Sequence, residues 1–175
     1  MTVLMNKTSR QKYEGSYENV AKAVRLYCAE ADSLAELRRL FEYVAFMVMV
    51  HNGDGHLKNF GLLYEHPGDR KSVRLAPLYD VVTTSLYGMT HPRTFITKYD
   101  RTLALKLSKS RSYPDLESLV AFGRDHCGVS RPEQVVERIA DALAETLKKN
   151  RGRVPEELWR GLSNEWGLPA RIGVR

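Results

Sequence analysis

Apolar residues recur at intervals of three and four through much of this chain. Val20, Ala21, Val24, Tyr27 and Cys28 trace one face of an amphipathic helix that the spacing predicts from Tyr17 to about Ala31. Ser33, with Glu36 three positions later, has the form of a capping box. It opens a stronger helix, with Leu34, Leu37, Leu40, Phe41, Val44, Ala45 and Val48 on one face. The second half of that helix, YVAFMVMV, is apolar nearly all round, so the pattern predicts the buried centre of the domain. Gly53 and Gly55, on either side of Asp54, are expected to stop it.

Periodicity then changes. NFGLLYE and SVRLAPLYDVV are short apolar stretches on either side of HPGDRK, and they predict a β-hairpin over 59–82. A hairpin returns the end of its second strand beside the start of its first, which places Asp80 near Asn59 and Asp54. Residues 84–115 are interrupted by Gly88, Pro92 and Pro114, with TLALKLS a short extended or helical piece. Helical spacing returns at about 116–126 and again in SRPEQVVERIADALAETLKKN. There Ser130 is the expected cap, Pro132 lies in the first turn, and Val135, Val136, Ile139, Leu143 and Leu147 form the apolar face. A last helix follows Pro155, and Trp159 and Trp166 on it are expected to share a face and pack as core. Residues 1–15 have weak periodicity and read as a loop or an extended leading segment. The fold class expected is mainly α with a small β-hairpin, in one domain over 1–175.

Composition narrows the function classes. At 175 residues, 43% hydrophobic and 27% charged, the chain has the make-up of one soluble globular domain. FEYVAFMVMV, the longest apolar run, falls short of the roughly 18 residues a membrane helix needs. The first residues have no continuous apolar stretch of the secretory kind, and Cys28 and Cys127 lie far apart, so reduced thiols in a cytoplasm are expected. The net charge of +6 is spread along the chain, with no more than two basic residues in a row. No direct nucleic-acid surface is predicted from it.

The chemistry concentrates in MVHNGDGHLKNFGLLY, residues 49–64. Asn59 and Asp80 could supply the few oxygen ligands that Mg²⁺ takes beside substrate phosphates. Asp54 would be left to accept a proton from an attacking hydroxyl, and Lys58 could offset charge on a transferred phosphate. That set suits phosphoryl transfer, where positioning and electrostatics carry the reaction.

The order D-x-x-x-x-N followed by a later Asp is similar to the catalytic loop and metal-binding aspartate of protein kinases. More specifically, NGDGHLKNFGLL followed by LAPLYDVV, together with RQKYEG and TLALKL, resembles the HipA family of serine/threonine kinases, the toxins of HipA–HipB toxin–antitoxin pairs. The resemblance implies the C-terminal lobe of a kinase-like fold: a catalytic core over 16–115, with its loop at 51–59, and C-terminal helices over 116–175. It implies ATP and Mg²⁺ as cofactors, with Asp54 as catalytic base and Asn59 and Asp80 as metal ligands. Lys58 becomes a phosphate or loop-stabilising contact, and His56 and Tyr79 lie around the nucleotide with Asp80. Implied partners are a HipB-like antitoxin and a protein substrate, an aminoacyl-tRNA synthetase being one candidate. Where ordinary kinases have D-F-G, this chain has Asp80-Val81-Val82, which is the family's own pattern.

One part of the pattern is missing. The N-terminal lobe of the family, with its phosphate-cradling loop, nucleotide-binding lysine and adenine-binding hinge, is not found in these residues, and a separate N-lobe is a further possible partner. Two other readings stand beside the kinase. One is an inactive lobe that binds an antitoxin or partner lobe, and the other is a metal-dependent hydrolase using His51, Asp54, His56 and Asp80.

Overall fold

The computed structural model describes residues 1–90 and 92–166. Its frame is helical: α1 (Tyr17–Tyr27), α2 (Ser33–Met49), α3 (Leu116–Ala121, continued by a π-helical turn over Phe122–His126), α4 (Pro132–Asn150) and α5 (Glu156–Glu165). Six short strands form three separate antiparallel pairs: β1 (Leu62–Leu63) with β2 (Arg74–Leu75), β3 (Gly88–Thr90) with β4 (Thr97–Tyr99), and β5 (Thr102–Leu107) with β6 (Ser110–Ser112). Among the described residues the structure is therefore mainly α with small β elements, and the expected hairpin, present as the short β1–β2 pair, is joined by two more pairs.

The predicted core helix lies at the centre. On α2, Leu37, Leu40, Phe41, Val44, Ala45, Met47, Val48 and Met49 are all buried, and α1 packs on it through Tyr17, Val20, Ala21 and Val24. Leu34 departs from the expected face and is 72% exposed in the first turn. The capping box does not form either, because Asp32 occupies the N-cap and Ser33 is the first helical residue. Glu36 is buried instead and accepts a hydrogen bond from the Leu75 backbone N–H at 2.8 Å, with Arg39 beside it at 3.3 Å. A residue expected to cap the start of α2 thus ties that helix to β2, which satisfies a buried amide.

Boundaries shift for local reasons. α1 ends at Tyr27, where Cys28 turns extended and the Ala29 N–H bonds to the Val73 carbonyl at 2.9 Å. Ser130 does not cap α4; Arg131 is its N-cap and Pro132 its first residue. Its expected face holds, with Val135, Val136 and Leu143 buried, and Ile139 packed against the core. The tryptophans are each half-buried but have different partners. Trp159 donates to the Leu147 carbonyl at 3.0 Å, and Trp166 to the Thr83 hydroxyl at 2.8 Å. The leading segment holds two 3-10 turns, Val3–Met5 and Ser9–Gln11, where an extended or loop path was expected. TLALKL is strand β5, buried at Leu103, Ala104, Leu105 and Leu107.

Candidate functional site

The polar loop begins where α2 stops. His51 has a left-handed backbone, φ 52°, and its carbonyl accepts from the Thr84 N–H and hydroxyl, each at 3.1 Å. Asn52 is buried, and its side-chain oxygen accepts from the Asp54 N–H at 3.1 Å, an Asx turn that lifts Asp54 to the loop surface. The two glycines serve close approach more than helix breaking. A Cβ at Gly53 would lie 2.6 Å from the Thr102 carbonyl oxygen and one at Gly55 2.8 Å from the Met47 sulfur, so the loop lies directly on β5 and α2.

The second half of the loop is a 3-10 turn, Leu57–Asn59, tied at both ends. The His56 N–H donates to Asn59 Oδ1 at 2.9 Å, and the Asn59 amide nitrogen donates to Asp80 Oδ2 at 3.0 Å. Asp80 lies five residues beyond β2, not at its end, in a left-handed turn of φ 58°. The neighbouring Tyr79 hydroxyl bonds to the Lys58 carbonyl, so residues 79–80 cross back over 58–59. The expected approach of Asp80 to Asn59 is present, made by that crossing rather than by long strands.

Asp54 is half-buried and accepts from the Tyr13 hydroxyl at 2.8 Å through Oδ1. His56 is buried below it, with Lys12 Nζ 2.6 Å from its Nε2 and the Tyr13 ring edge-on at 5.2 Å. Burial pushes the His56 pKa below its ordinary value, helped by Lys12 and opposed by Asp54 and Asp80. A neutral ring that accepts from Lys12 at Nε2 carries its proton on Nδ1, and Nδ1 is buried with no hydrogen-bond partner among the described residues. Lys58 is exposed and its Nζ bonds to the Ser9 hydroxyl at 2.5 Å, an interaction within the loop's surroundings.

Four of the residues singled out from sequence, Asp54, His56, Asn59 and Asp80, thus surround one turn. His51 does not join them. Its Nδ1 lies 2.7 Å from Glu165 on α5, and Glu165 also meets Arg101 at 3.0 Å. Among the described residues no group of three or more His, Cys, Asp or Glu side chains could hold a metal ion, so the hydrolase ligand set gains no support from geometry. Lys12, Tyr13 and Thr84 were not assigned roles from sequence. RQKYEG drew attention as a motif, but nothing local indicates that Tyr13 reaches a carboxylate 41 residues away.

An oxygen-binding cation fits the pair. Asn59 Oδ1 retains a second lone pair and Asp80 Oδ1 accepts no hydrogen bond among the described residues, which leaves one amide and one carboxylate oxygen for a hard cation.

The chain matches the family model of the HipA-like C-terminal domain over residues 1–150. It is 27% identical over 164 residues, 92% of this chain and 34% of the relative, to "Putative kinase Y4dM" of Sinorhizobium fredii. It is 35% identical over 75 residues, 41% of this chain and 20% of the relative, to a Haemophilus influenzae protein of the same kinase designation. The chain spans about a third of the length of the first of these relatives and a fifth of the second. A family match over most of the chain places this protein in the HipA-like C-terminal domain family.

Proposed function

We propose that this chain is the catalytic lobe of a HipA-like serine/threonine kinase, which transfers the γ-phosphoryl group of ATP to a protein hydroxyl. The observation that carries the reading is the Asn59–Asp80 hydrogen bond at 3.0 Å, in a loop that also presents Asp54. Kinase designations of the relatives support phosphoryl transfer at the level of the family.

Each residue then has a task. Asp54 keeps Oδ1 on the Tyr13 hydroxyl, which fixes the carboxylate, and Oδ2 takes the proton of the substrate hydroxyl as its oxygen attacks the γ-phosphorus. The new P–O bond forms as the bond to the β-phosphate oxygen breaks and ADP leaves. Asn59 and Asp80 would hold Mg²⁺, which when bound neutralises charge on the phosphates. The neutral His56 ring and the Lys12 ammonium beneath the loop hold its shape and add one positive charge near the site. Lys58, released from Ser9, would reach a phosphate oxygen, and Tyr79 anchors the turn that carries Asp80. The toxin role, with a HipB-like antitoxin as partner, belongs to the same family reading.

Transfer of label from γ-labelled ATP to protein serine or threonine tests this. With a nucleotide-binding N-lobe supplied, the unaltered chain is expected to transfer, and Asp54→Asn to lose transfer while it still binds nucleotide. Transfer that persists in Asp54→Asn removes it as the base; no transfer by the unaltered chain even with an N-lobe supplied favours a binding module.

A further inference from the structure

The basic residues are dispersed in the sequence, yet the fold gathers several beside the loop. A groove of about 730 Å³ runs between the first half of α1 and the β5–β6 hairpin. Its cations are Lys22, Lys106, Lys109 and Arg111. Lys22, Lys106 and Lys109 are exposed and in no ion pair among the described residues. The two carboxylates of the groove are already engaged: Glu14 pairs with Lys7 at 3.1 Å and Glu18 accepts from the Ser108 N–H at 2.7 Å. The groove therefore has a surplus of positive charge that no ion pair among the described residues neutralises.

Its end is at the candidate site. Tyr13 lines the groove and donates to Asp54 at 2.8 Å, while Arg111 donates to the Tyr13 carbonyl at 2.6 Å. The Gly15 carbonyl accepts from the Lys106 N–H at 3.2 Å, so the floor is continuous backbone from the hairpin to the segment that carries Tyr13.

We propose that this groove binds acidic residues of the protein substrate, on one side of the hydroxyl presented to Asp54. The inference rests on the kinase reading for its location and adds the substrate's charge pattern. A peptide fits better than a nucleic acid for two reasons. Glu14 and Glu18 interrupt the positive wall, which spaced acidic side chains can avoid and a continuous phosphodiester cannot. Among the described residues Tyr13 and His126 are the only aromatic side chains lining it, too few to stack successive bases.

Fluorescence anisotropy without nucleotide tests the groove separately from catalysis, so its failure and that of the kinase reading are distinguishable. The probes are a labelled serine peptide flanked by Asp and Glu, the same peptide with Asn and Gln, and a single-stranded oligonucleotide of equal charge. At about 50 mM salt the acidic peptide is expected to bind at least about tenfold more tightly than the neutral one, with the preference shrinking as salt rises. Lys22→Glu with Lys109→Glu should remove about tenfold of that affinity, and Lys148→Glu with Arg153→Glu, outside the groove, less than about twofold. Equal binding of acidic and neutral peptides, or equal losses in both double variants, overturns the proposal. Tighter binding of the oligonucleotide with the same dependence on Lys22 and Lys109 overturns it in favour of nucleic acid.

Discussion

The loop at 51–59 and the β3–β4 hairpin are both short, irregular connections, and they are held in opposite ways. The loop buries its polar groups, Asn52, His56 and Asn59, through side-chain bonds to Lys12 and Asp80, distant in sequence, and a backbone bond from Asn52 to the Met47 carbonyl on the preceding helix. The hairpin is held by its own register, Gly88 to Tyr99 and Thr90 to Thr97, with the two threonine hydroxyls 2.9 Å apart. Tyr87, Phe95 and Tyr99 there face solvent, Phe95 at 81% exposure. Most of the loop's buried polar atoms find partners, with Asn52 Nδ2 and His56 Nδ1 the exceptions among the described residues, so distant segments hold the loop's shape whereas strand pairing holds the hairpin's.

The comparison breaks first at the chemistry. Asp54→Asn is expected to reduce phosphoryl transfer about 10²- to 10⁴-fold, measured by label incorporation, with little change in melting temperature. Next comes packing. Gly53→Ala sets a methyl against the Thr102 carbonyl at 2.6 Å and the Thr84 hydroxyl at 2.8 Å and should cost about 1–3 kcal/mol in urea denaturation. Gly152→Ala, where a Cβ meets open space, is the matched control.

A smaller effect follows from His56. Its folded pKa lies below the ordinary 6.5, so the unfolded chain takes up the proton first as pH falls. The stability it contributes is full above pH 6.5 and is lost as pH falls through the lowered value. Urea midpoints at descending pH should therefore fall less steeply in His56→Gln than in the unaltered chain. The smallest effect belongs to the hairpin. Thr90→Ala with Thr97→Ala should change stability by less than about 0.5 kcal/mol and leave nucleotide binding unaltered.

The helical frame was legible because each helix has its own repeat. α2 could be read from Leu37 to Val48 without reference to anything else, and the mainly α class followed. Leu34 and the Ser33 capping box misled because tertiary contacts override local signals: Glu36 had a buried amide on β2 to satisfy. Asp54, Asn59 and Asp80 were recognisable as a motif, and their approach was inferred from a hairpin. The contact is made by a left-handed turn five residues past a two-residue strand, which apolar alternation does not encode. Tyr13, Lys12 and the lysines of the groove were not legible, since their significance lies in which distant residues they meet.

The most direct test of the account is whether Asn59 and Asp80 hold a cation with the nucleotide. Titration of the chain with Mn²⁺ and ATP, followed by electron paramagnetic resonance, reads that binding without requiring turnover. Asp80→Gly removes the carboxylate while glycine accepts the left-handed backbone at φ 58°. The account predicts bound Mn²⁺ in the unaltered chain and in Asp54→Asn, and its loss in Asp80→Gly. Equal Mn²⁺ binding in Asp80→Gly and the unaltered chain would contradict it.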